Sequence, residues 1–365
     1  MRSSATSRTV LRSGACPGFR QTLFAGAATL LAALPTLALG AAPAAAADIT
    51  GAGSTFAAPI YGAWGAAAKS ATGTSLNYQA LGSGAGQNQV IARTVDFGAS
   101  DAPMAADKLS SNQLLQFPTV MGGVVPIVNL PGIAPNQIKL TGEVLAQLFS
   151  GEISQWNDPK IAALNPGVKL PDTAVAPVHR ADGSGTTFVF TSYLSKANPD
   201  WKSKVGAASS ISWPAGAGAK GNDGVAATVR NTEGGIGYVE YAYADKNHLT
   251  TTELKDKAGA FVAPNFDSFS KAAAAADWNN APNFAVDLLD TAGTGAWPIV
   301  SATFVLVPTN PKDPARASAV LGFFDWGFRN GAPIAQKMQY VPLPAAVQAS
   351  VRQSWSKVAG AKVAQ

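Results

Sequence analysis

The chain has 365 residues, of which 27 are Lys or Arg and 22 are Asp or Glu, so its formal net charge is +5. Four of the arginines and none of the acidic residues fall within residues 1–47, so the rest of the chain carries 23 basic and 22 acidic residues and a net charge of +1. This near-neutral remainder excludes the basic surface that nucleic-acid binding requires. The single cysteine, Cys16, excludes a disulfide framework and a thiolate metal site.

The N-terminus, residues 1–47, is predicted to be a secretory signal peptide. A basic start is followed by the apolar run 22–40, and the small residues 45–47 form an A-x-A cleavage site before Asp48. A membrane anchor is the alternative, but Pro35 interrupts the run and small residues dominate it. We therefore expect a soluble, exported protein whose mature chain begins at Asp48.

After residue 47, short strand-like runs alternate with helical patterns. The predicted strands are 76–80, 95–98, 122–129, 174–178, 237–240 and 298–307. The predicted helices are 57–70, 142–149, 187–194, 266–276, 314–328 and 344–357. The Gly-rich stretch 213–224 is predicted to be a loop. This alternation favours an α/β fold with mixed, largely parallel sheets that are flanked by helices.

The length of the mature chain, about 318 residues, indicates two domains rather than one small core. Extended runs near Leu130 and near Trp297 are the predicted crossovers between the domains. The predicted boundaries are 48–129 with 298–365 for domain I and 130–297 for domain II.

Three turns share one local design, in which a G-x-G sequence with Ser or Thr stands next to the start of a helix. They lie at 50–56, 82–86 and 180–186. The first N–H groups of a helix have no partner within the helix, and the helix dipole adds partial positive charge at the same end. Such a turn can bind an oxyanion without a metal. A single turn is also an ordinary helix cap, and it is the occurrence of three that favours an anion site.

Three charged residues in or beside these turns restrict the ligand that the sequence predicts. Arg180 can bind two oxygens of a tetrahedral anion while Asp182 holds it in position, although the two residues alone also fit a surface ion pair. Asp101 follows a predicted strand, and a carboxylate in an anion site can accept a hydrogen bond from a proton on the ligand. Phosphate carries such a proton at neutral pH and sulfate does not, so Asp101 favours phosphate. Alternatively, Asp101 caps a helix that begins at Ala102.

Six segments carry a resemblance to a known family. They are TGAGSTFAAPIYGAW (50–64), VDFGASDAP (95–103), RADGSGTTFVFTSYL (180–194), KGNDGVAA (220–227), GYVEYAYA (237–244) and FFDWGF (323–328). With them, nearly all of the mature chain resembles the Pst-type periplasmic phosphate-binding proteins of high-affinity phosphate ABC transporters. The resemblance implies a hinged, two-domain binding protein of the type II, Venus-flytrap kind. Such a protein is a periplasmic monomer that delivers phosphate to membrane permease and ATPase subunits, needs no cofactor or metal, and catalyses nothing.

The resemblance also implies which residues bind phosphate. The implied ligands are Thr55, Phe56 through its N–H, Ser83 and Asp101 from one domain, and Arg180, Ser184, Gly185 and Thr186 from the other. Ser54 and Asp182 are expected to support them from behind, Asp182 by pairing with Arg180. His179 stands where relatives can carry a second basic residue, and we interpret it as structural.

Three other functions are weighed against phosphate binding. A secreted phosphatase would need a nucleophile beside a base, but the chain has two histidines and neither an H-E-x-x-H nor a G-x-S-x-G motif. A carrier of sulfate or molybdate would not need Asp101. A surface interaction protein would use exposed aromatics, although we expect Trp297, Phe323 and Trp326 to pack in cores.

Overall fold

The structure, a computed structural model, describes residues 48–278 and 280–363, and the predicted signal peptide lies outside them. The strands are β1 Asp48–Gly53, β2 Ser75–Gln79, β3 Phe97–Ser100, β4 Leu114–Asn129, β5 Lys139–Leu140, β6 Ala176–Arg180, β7 Ala217–Ala219, β8 Gly235–Glu240, β9 Thr250–Thr251, β10 Glu253–Lys255, β11 Phe261–Val262, β12 Val300–Pro308 and β13 Val341–Pro342. The helices are α1 Ala58–Thr72, α2 Ser83–Ile91, α3 Ala106–Ser111, α4 Gly142–Ser150, α5 Pro159–Leu164, α6 Gly185–Ala197, α7 Pro199–Lys204, α8 Gly221–Asn231, α9 Tyr241–Lys246, α10 Phe266–Ala274, α11 Pro314–Asn330, α12 Ala332–Lys337 and α13 Ala345–Ser354. Short 3₁₀ turns lie at Pro282–Phe284 and Trp355–Lys357.

A ten-stranded mixed sheet runs through the described chain in the order β2-β1-β3-β12-β4-β8-β6-β7, and β9 and β13 also pair with β4. Parallel pairs join β1 to β2 and β3, and join β6 to β7 and β8. Strands β12 and β4 pair antiparallel with their neighbours. A smaller sheet has the order β11-β10-β5. The predicted α/β class with a mixed sheet is confirmed.

Strand β4 lies in the middle of the large sheet and joins its two halves. Its residues 114–123 pair with β12, and residues 124–129 pair with β8. Every residue of β4 except Asn129 is buried, as expected for a strand that is covered on both faces. We call β1, β2, β3 and β12 the β1 side of the sheet, and β6, β7 and β8 the β6 side. All described residues belong to one compact unit, and the division into two domains stays a prediction.

The stretch 213–224 is not a loop throughout, and that prediction was wrong. Strand β7 and the start of α8 lie within it. Gly221 has a φ of +70°, a left-handed conformation that glycine tolerates, and α8 begins there. The helix then buries Val225, Ala226 and Val229. These apolar positions follow the glycines, so the local composition concealed a helix that is fixed by packing.

Aromatic clusters fill the core on each side of the sheet. On the β1 side, Tyr61 and Phe97 pack edge-to-face on Phe324 at centroid distances of 5.5 and 5.2 Å. On the β6 side, Phe190 stacks on Tyr238 at 4.1 Å. Such pairs add to the free energy that burial alone provides. None of the described helices combines the length and the apolar composition that a bilayer-spanning helix requires.

The aromatic residues that were expected to pack in cores mostly do so. Trp297 and Phe323 are 0% and 2% exposed. Trp326 is half-buried at the edge of the same core.

Two glycines of α11 provide a matched test of this packing. A Cβ at Gly322 would have no atom within 4 Å, whereas a Cβ at Gly327 would lie 2.8 Å from a ring carbon of Trp64. The Trp64 ring is fixed, because its Nε1 donates to the Gly331 carbonyl at 3.1 Å. We predict that Gly322→Ala stabilises the fold by about 0.5–1 kcal/mol. Gly327→Ala should destabilise it by about 1–3 kcal/mol.

Denaturant unfolding of both variants checks this prediction. The two substitutions are chemically identical and lie in one helix, so helix propensity cancels between them. Equal stability of the two variants would contradict the packing of Gly327 on Trp64.

Candidate functional site

The first glycine turn connects β1 to α1 and is fastened to β3. At Gly53, whose φ is +135°, a Cβ would lie 2.1 Å from the Ala99 carbonyl oxygen, so no side chain fits. The Ser54 N–H donates to the same oxygen at 2.9 Å. The Ser54 hydroxyl accepts the Ala57 N–H at 3.1 Å, just before α1 begins at Ala58.

Tyrosine hydroxyls donate hydrogen bonds to the carbonyl oxygens of this turn. Tyr78 donates to Ser54 (2.7 Å), Tyr243 to Thr55 (2.6 Å) and Tyr340 to Phe56 (2.7 Å). Within residues 48–278 and 280–363, neither the Thr55 nor the Phe56 N–H has a hydrogen-bond acceptor. The turn therefore offers donors rather than acceptors to a ligand.

The second turn brings Asp101 into the site. Ser83, the first residue of α2, accepts the Asp101 N–H at 3.2 Å and donates to Asp101 Oδ2 at 3.4 Å. Asp101 Oδ1 accepts the hydroxyls of Ser54 at 2.5 Å and Thr303 at 2.7 Å. Burial raises the pKa of Asp101 to about 6, although the hydrogen bonds from Ser54 and Thr303 act in the opposite direction.

Asp101 caps no helix. The next helix, α3, begins at Ala106 with Ala105 at its N-cap position. The alternative in which Asp101 caps a helix from Ala102 is therefore wrong, because the chain after Asp101 continues as a bend.

The third turn holds a buried ion pair. Arg180 Nε donates to Asp182 Oδ1 at 2.8 Å, and Arg180 Nη2 pairs with Asp182 Oδ2. The two side chains are 1% and 13% exposed, so the surface ion pair considered above is excluded. Asp182 also accepts the Gly221 N–H at 3.0 Å. Burial by itself would raise the pKa of Asp182, but the hydrogen bonds and charge of Arg180 lower it below its usual value.

Glycines allow the second and third turns to meet. The Gly84 N–H donates to the Gly183 carbonyl at 2.9 Å. A Cβ at Gly185 would lie 2.4 Å from Ser83 Oγ and 2.6 Å from Asp101 Oδ2, so only a glycine permits this approach. The carboxylate of Asp101 thus lies against the first residue of α6.

The start of α6 supplies further donors. Ser184 caps the helix by accepting the Thr187 N–H at 3.0 Å. Gly185 and Thr186 are the first two residues of α6, so their N–H groups have no partner within the helix. Arg180 Nη1 lies 3.4 Å from Thr186 Oγ1. The structure therefore brings the predicted site residues of all three turns together.

His179 packs away from these contacts. Its ring stacks on Trp213 with a centroid distance of 4.7 Å and an interplanar angle of 9°. Its Nδ1 lies 3.2 Å from the Arg180 carbonyl oxygen. Burial lowers the pKa of His179. These contacts agree with the structural interpretation of this residue.

The sequence analysis missed six residues that contact the site, namely Tyr78, Asn222, Glu240, Tyr243, Thr303 and Tyr340. Asn222 Nδ2 donates to Thr55 Oγ1 at 2.7 Å. The only sequence signal for Asn222 is its place in the segment KGNDGVAA, one of the six that carry the resemblance. Glu240 and Tyr243 lie in GYVEYAYA, another of those six segments, whereas Tyr78, Thr303 and Tyr340 reach the site through long-range packing, for which a single sequence offers no pattern.

Glu240 is a second buried carboxyl group. Its Oε2 accepts the Ala242 N–H at 3.0 Å and contacts the Tyr340 hydroxyl at 2.8 Å. Within the described part of the chain, its Oε1 has no hydrogen-bond partner. Tyr340 carries one hydroxyl proton, so its contacts with Phe56 and Glu240 are both satisfied when Glu240 is protonated and donates to it. Burial raises the pKa of Glu240 well above its usual value.

Comparison with known proteins identifies the class. A family model described as a PBP superfamily domain matches residues 40–330, so the chain belongs to the PBP superfamily. The phosphate-binding protein of Stenotrophomonas maltophilia has a similar fold, with a TM-score of 0.65 at 18% identity over 87% of this chain and 99% of that one.

The closely related sequences identify the family. The protein named phosphate-binding protein PstS in Pasteurella multocida is 51% identical over 307 residues, which cover 84% of this chain and 89% of that protein. Its namesake in Haemophilus influenzae is 48% identical over 320 residues, covering 87% of this chain and 96% of that protein. This chain belongs to the PstS family of phosphate-binding proteins.

We predict that Glu240→Gln changes the pH dependence of stability. The pKa of Glu240 is raised by folding, so the unfolded chain loses this proton near pH 4.3 while the folded chain keeps it. The glutamate therefore costs stability as the pH rises above that value, by up to about 1.4 kcal/mol per pH unit. A glutamine carries no such proton, so the variant should gain stability relative to the unsubstituted protein as the pH rises above about 4.3.

Thermal unfolding in one buffer series measures the difference. The exposed Glu233, which follows α8, serves as the control through Glu233→Gln. Parallel stability curves for Glu240→Gln and the unsubstituted protein would contradict the prediction.

Proposed function

We propose that this protein binds inorganic phosphate between the three glycine turns and delivers it to a membrane ABC importer. The observation that carries the proposal is the contact between Asp101 and the start of α6, where a Cβ at Gly185 would lie 2.6 Å from Asp101 Oδ2. Helix N–H groups attract an anionic oxygen, and a carboxylate repels it. A ligand that carries both a negative oxygen and a proton satisfies both groups, and phosphate is such a ligand.

The proposed ligands are those that the resemblance implies: Thr55, Phe56, Ser83, Asp101, Arg180, Ser184, Gly185 and Thr186. Their support from behind is visible in two contacts. Ser54 donates to Asp101 at 2.5 Å, and Asp182 holds the guanidinium of Arg180 by a bidentate pair. A planar guanidinium held in this way can face two phosphate oxygens at once.

The remaining parts of the proposal concern the whole molecule. We propose two domains, residues 48–129 with 298–365 and residues 130–297, which close on the ligand. The turns at 50–56 and 82–86 precede the first crossover and the turn at 180–186 follows it, so a bound ion would favour the closed state. We propose that the carrier acts as a monomer in the periplasm after signal-peptide cleavage, and the names of the relatives support phosphate as its ligand.

Two alternative functions fit the site less well. A carrier of fully deprotonated sulfate or molybdate would face the Asp101 carboxylate without a proton to share. A phosphatase would need a base beside a nucleophile, and the charged residue beside Thr186 is the cation Arg180. We propose that the protein has no catalytic activity, which an assay with a chromogenic phosphate ester would test.

Ligand class is tested directly by native mass spectrometry and calorimetry. Mature protein purified without added anion is expected to retain one phosphate. After phosphate is removed, titration should give a dissociation constant of about a micromolar or less, because several charge-assisted hydrogen bonds form together. Sulfate binding as tight as phosphate binding would refute the proposal.

We predict that Asp101→Asn weakens the discrimination between phosphate and sulfate. The asparagine can donate a hydrogen bond to a deprotonated oxygen and removes the repelling charge, so the ratio of phosphate to sulfate affinity should fall about tenfold or more. Asp96→Asn is the matched control, because Asp96 lies in the same segment but pairs with Arg316 at 2.7 Å. An unchanged ratio in Asp101→Asn would remove Asp101 from the selectivity mechanism.

A further inference from the structure

Asn222 is a fully buried residue that contacts the site from the first turn of α8. Its side-chain oxygen accepts the Glu240 N–H at 3.0 Å. A backbone N–H can only donate, so this contact fixes the orientation of the amide and directs Nδ2 to the opposite side. The direction of every hydrogen bond that Nδ2 makes is thereby determined.

The two Nδ2 hydrogens face hydroxyls from two different glycine turns. Nδ2 lies 2.7 Å from Thr55 Oγ1 in the first turn and 3.4 Å from Thr186 Oγ1 in the third. Thr55 precedes β4, and both Thr186 and Asn222 follow it. One amide therefore links the two sides of the sheet at the place where the proposed ligand binds.

Each threonine oxygen receives a second donor. Thr55 Oγ1 also faces the Asn222 backbone N–H at 3.4 Å, and Thr186 Oγ1 also faces Arg180 Nη1 at 3.4 Å. A hydroxyl oxygen accepts at most two hydrogen bonds and donates one. With both acceptor positions facing donors, each hydroxyl can make a further hydrogen bond only as a donor.

We infer that Asn222 is a positioning residue that turns the hydroxyls of Thr55 and Thr186 into donors toward the bound anion. The inference rests on the proposed function, because hydroxyl donors that face the site are useful only when the ligand is an anion. Without Asn222, either hydroxyl could rotate and donate to a protein acceptor. The anion would then face a lone pair where it needs a proton.

The inference makes Asn222 act through Thr55, so a double-mutant cycle tests it. Asn222→Ala should weaken inorganic phosphate binding about tenfold or more, as measured by calorimetry on the mature protein. In a Thr55→Val background, where no hydroxyl remains to be oriented, the same substitution should cost clearly less. In a Thr55→Ser background, which keeps the hydroxyl, the cost should be restored.

Asn165→Ala is the matched control. Asn165 is also a buried asparagine, but its amide donates to the Lys139 and Ile161 carbonyl oxygens at 3.0 and 2.8 Å. This substitution should lower the unfolding temperature and leave phosphate affinity unchanged. If Asn222→Ala does not fold, Asn222→Ser, whose hydroxyl can still accept the Glu240 N–H, takes its place in the cycle.

The outcomes separate this inference from the proposed function. Unchanged phosphate affinity in the Asn222 variants would overturn the inference alone, and so would an equal cost with and without the Thr55 hydroxyl. If the unsubstituted protein bound no phosphate, the proposed function would be refuted and the inference with it.

Discussion

The carbonyl oxygens of residues 54–56 all accept hydrogen bonds from tyrosine hydroxyls, and the polarity of the site depends on this. An unoccupied carbonyl would present negative charge to an anion, whereas an occupied one leaves the N–H groups of the turn to determine the field. Burial raises the pKa of Tyr78, Tyr243 and Tyr340 above the usual value, so the hydroxyls stay protonated donors at neutral pH. The first glycine turn therefore derives its character from residues far away in sequence.

Asp101 and Glu240 are both buried carboxyl groups near the site, but their surroundings favour different protonation states. Asp101 is surrounded by the hydroxyls of Ser54, Ser83 and Thr303, which stabilise its charge against burial. Glu240 has one backbone N–H and one tyrosine, and one of its oxygens lacks a partner within the described residues. Asp101 is therefore suited to accept a hydrogen bond from a protonated oxygen of a ligand, while Glu240 is suited to hold its own proton and fix Tyr340.

The parts of the site that sequence analysis could predict are those that local chemistry determines. A G-x-G turn before a helix has the same meaning wherever it folds, and α4 begins at residue 142 as predicted because Thr141 caps it and Gly151 ends it. The first half of β4 was missed because Gln116 and Pro118 interrupt its apolar run, and only pairing with β12 makes it a strand. Tyr340 reaches Phe56 from 284 residues away, and no local pattern encodes such a contact.

The glycines of the three turns serve two purposes, which explains why the G-x-G motif occurs where the turns approach one another. A glycine before a helix lets a ligand approach the N–H groups, and here it also lets two turns approach each other, since Gly84 and Gly183 join by a backbone hydrogen bond. A side chain at Gly185 would separate Ser83 and Asp101 from the start of α6. Donors that surround one acceptor at such short range cannot adapt to a ligand of different proton content. Under the proposed function, recognition is then determined by where protons lie, and the shape of a tetrahedral ion alone is insufficient for binding.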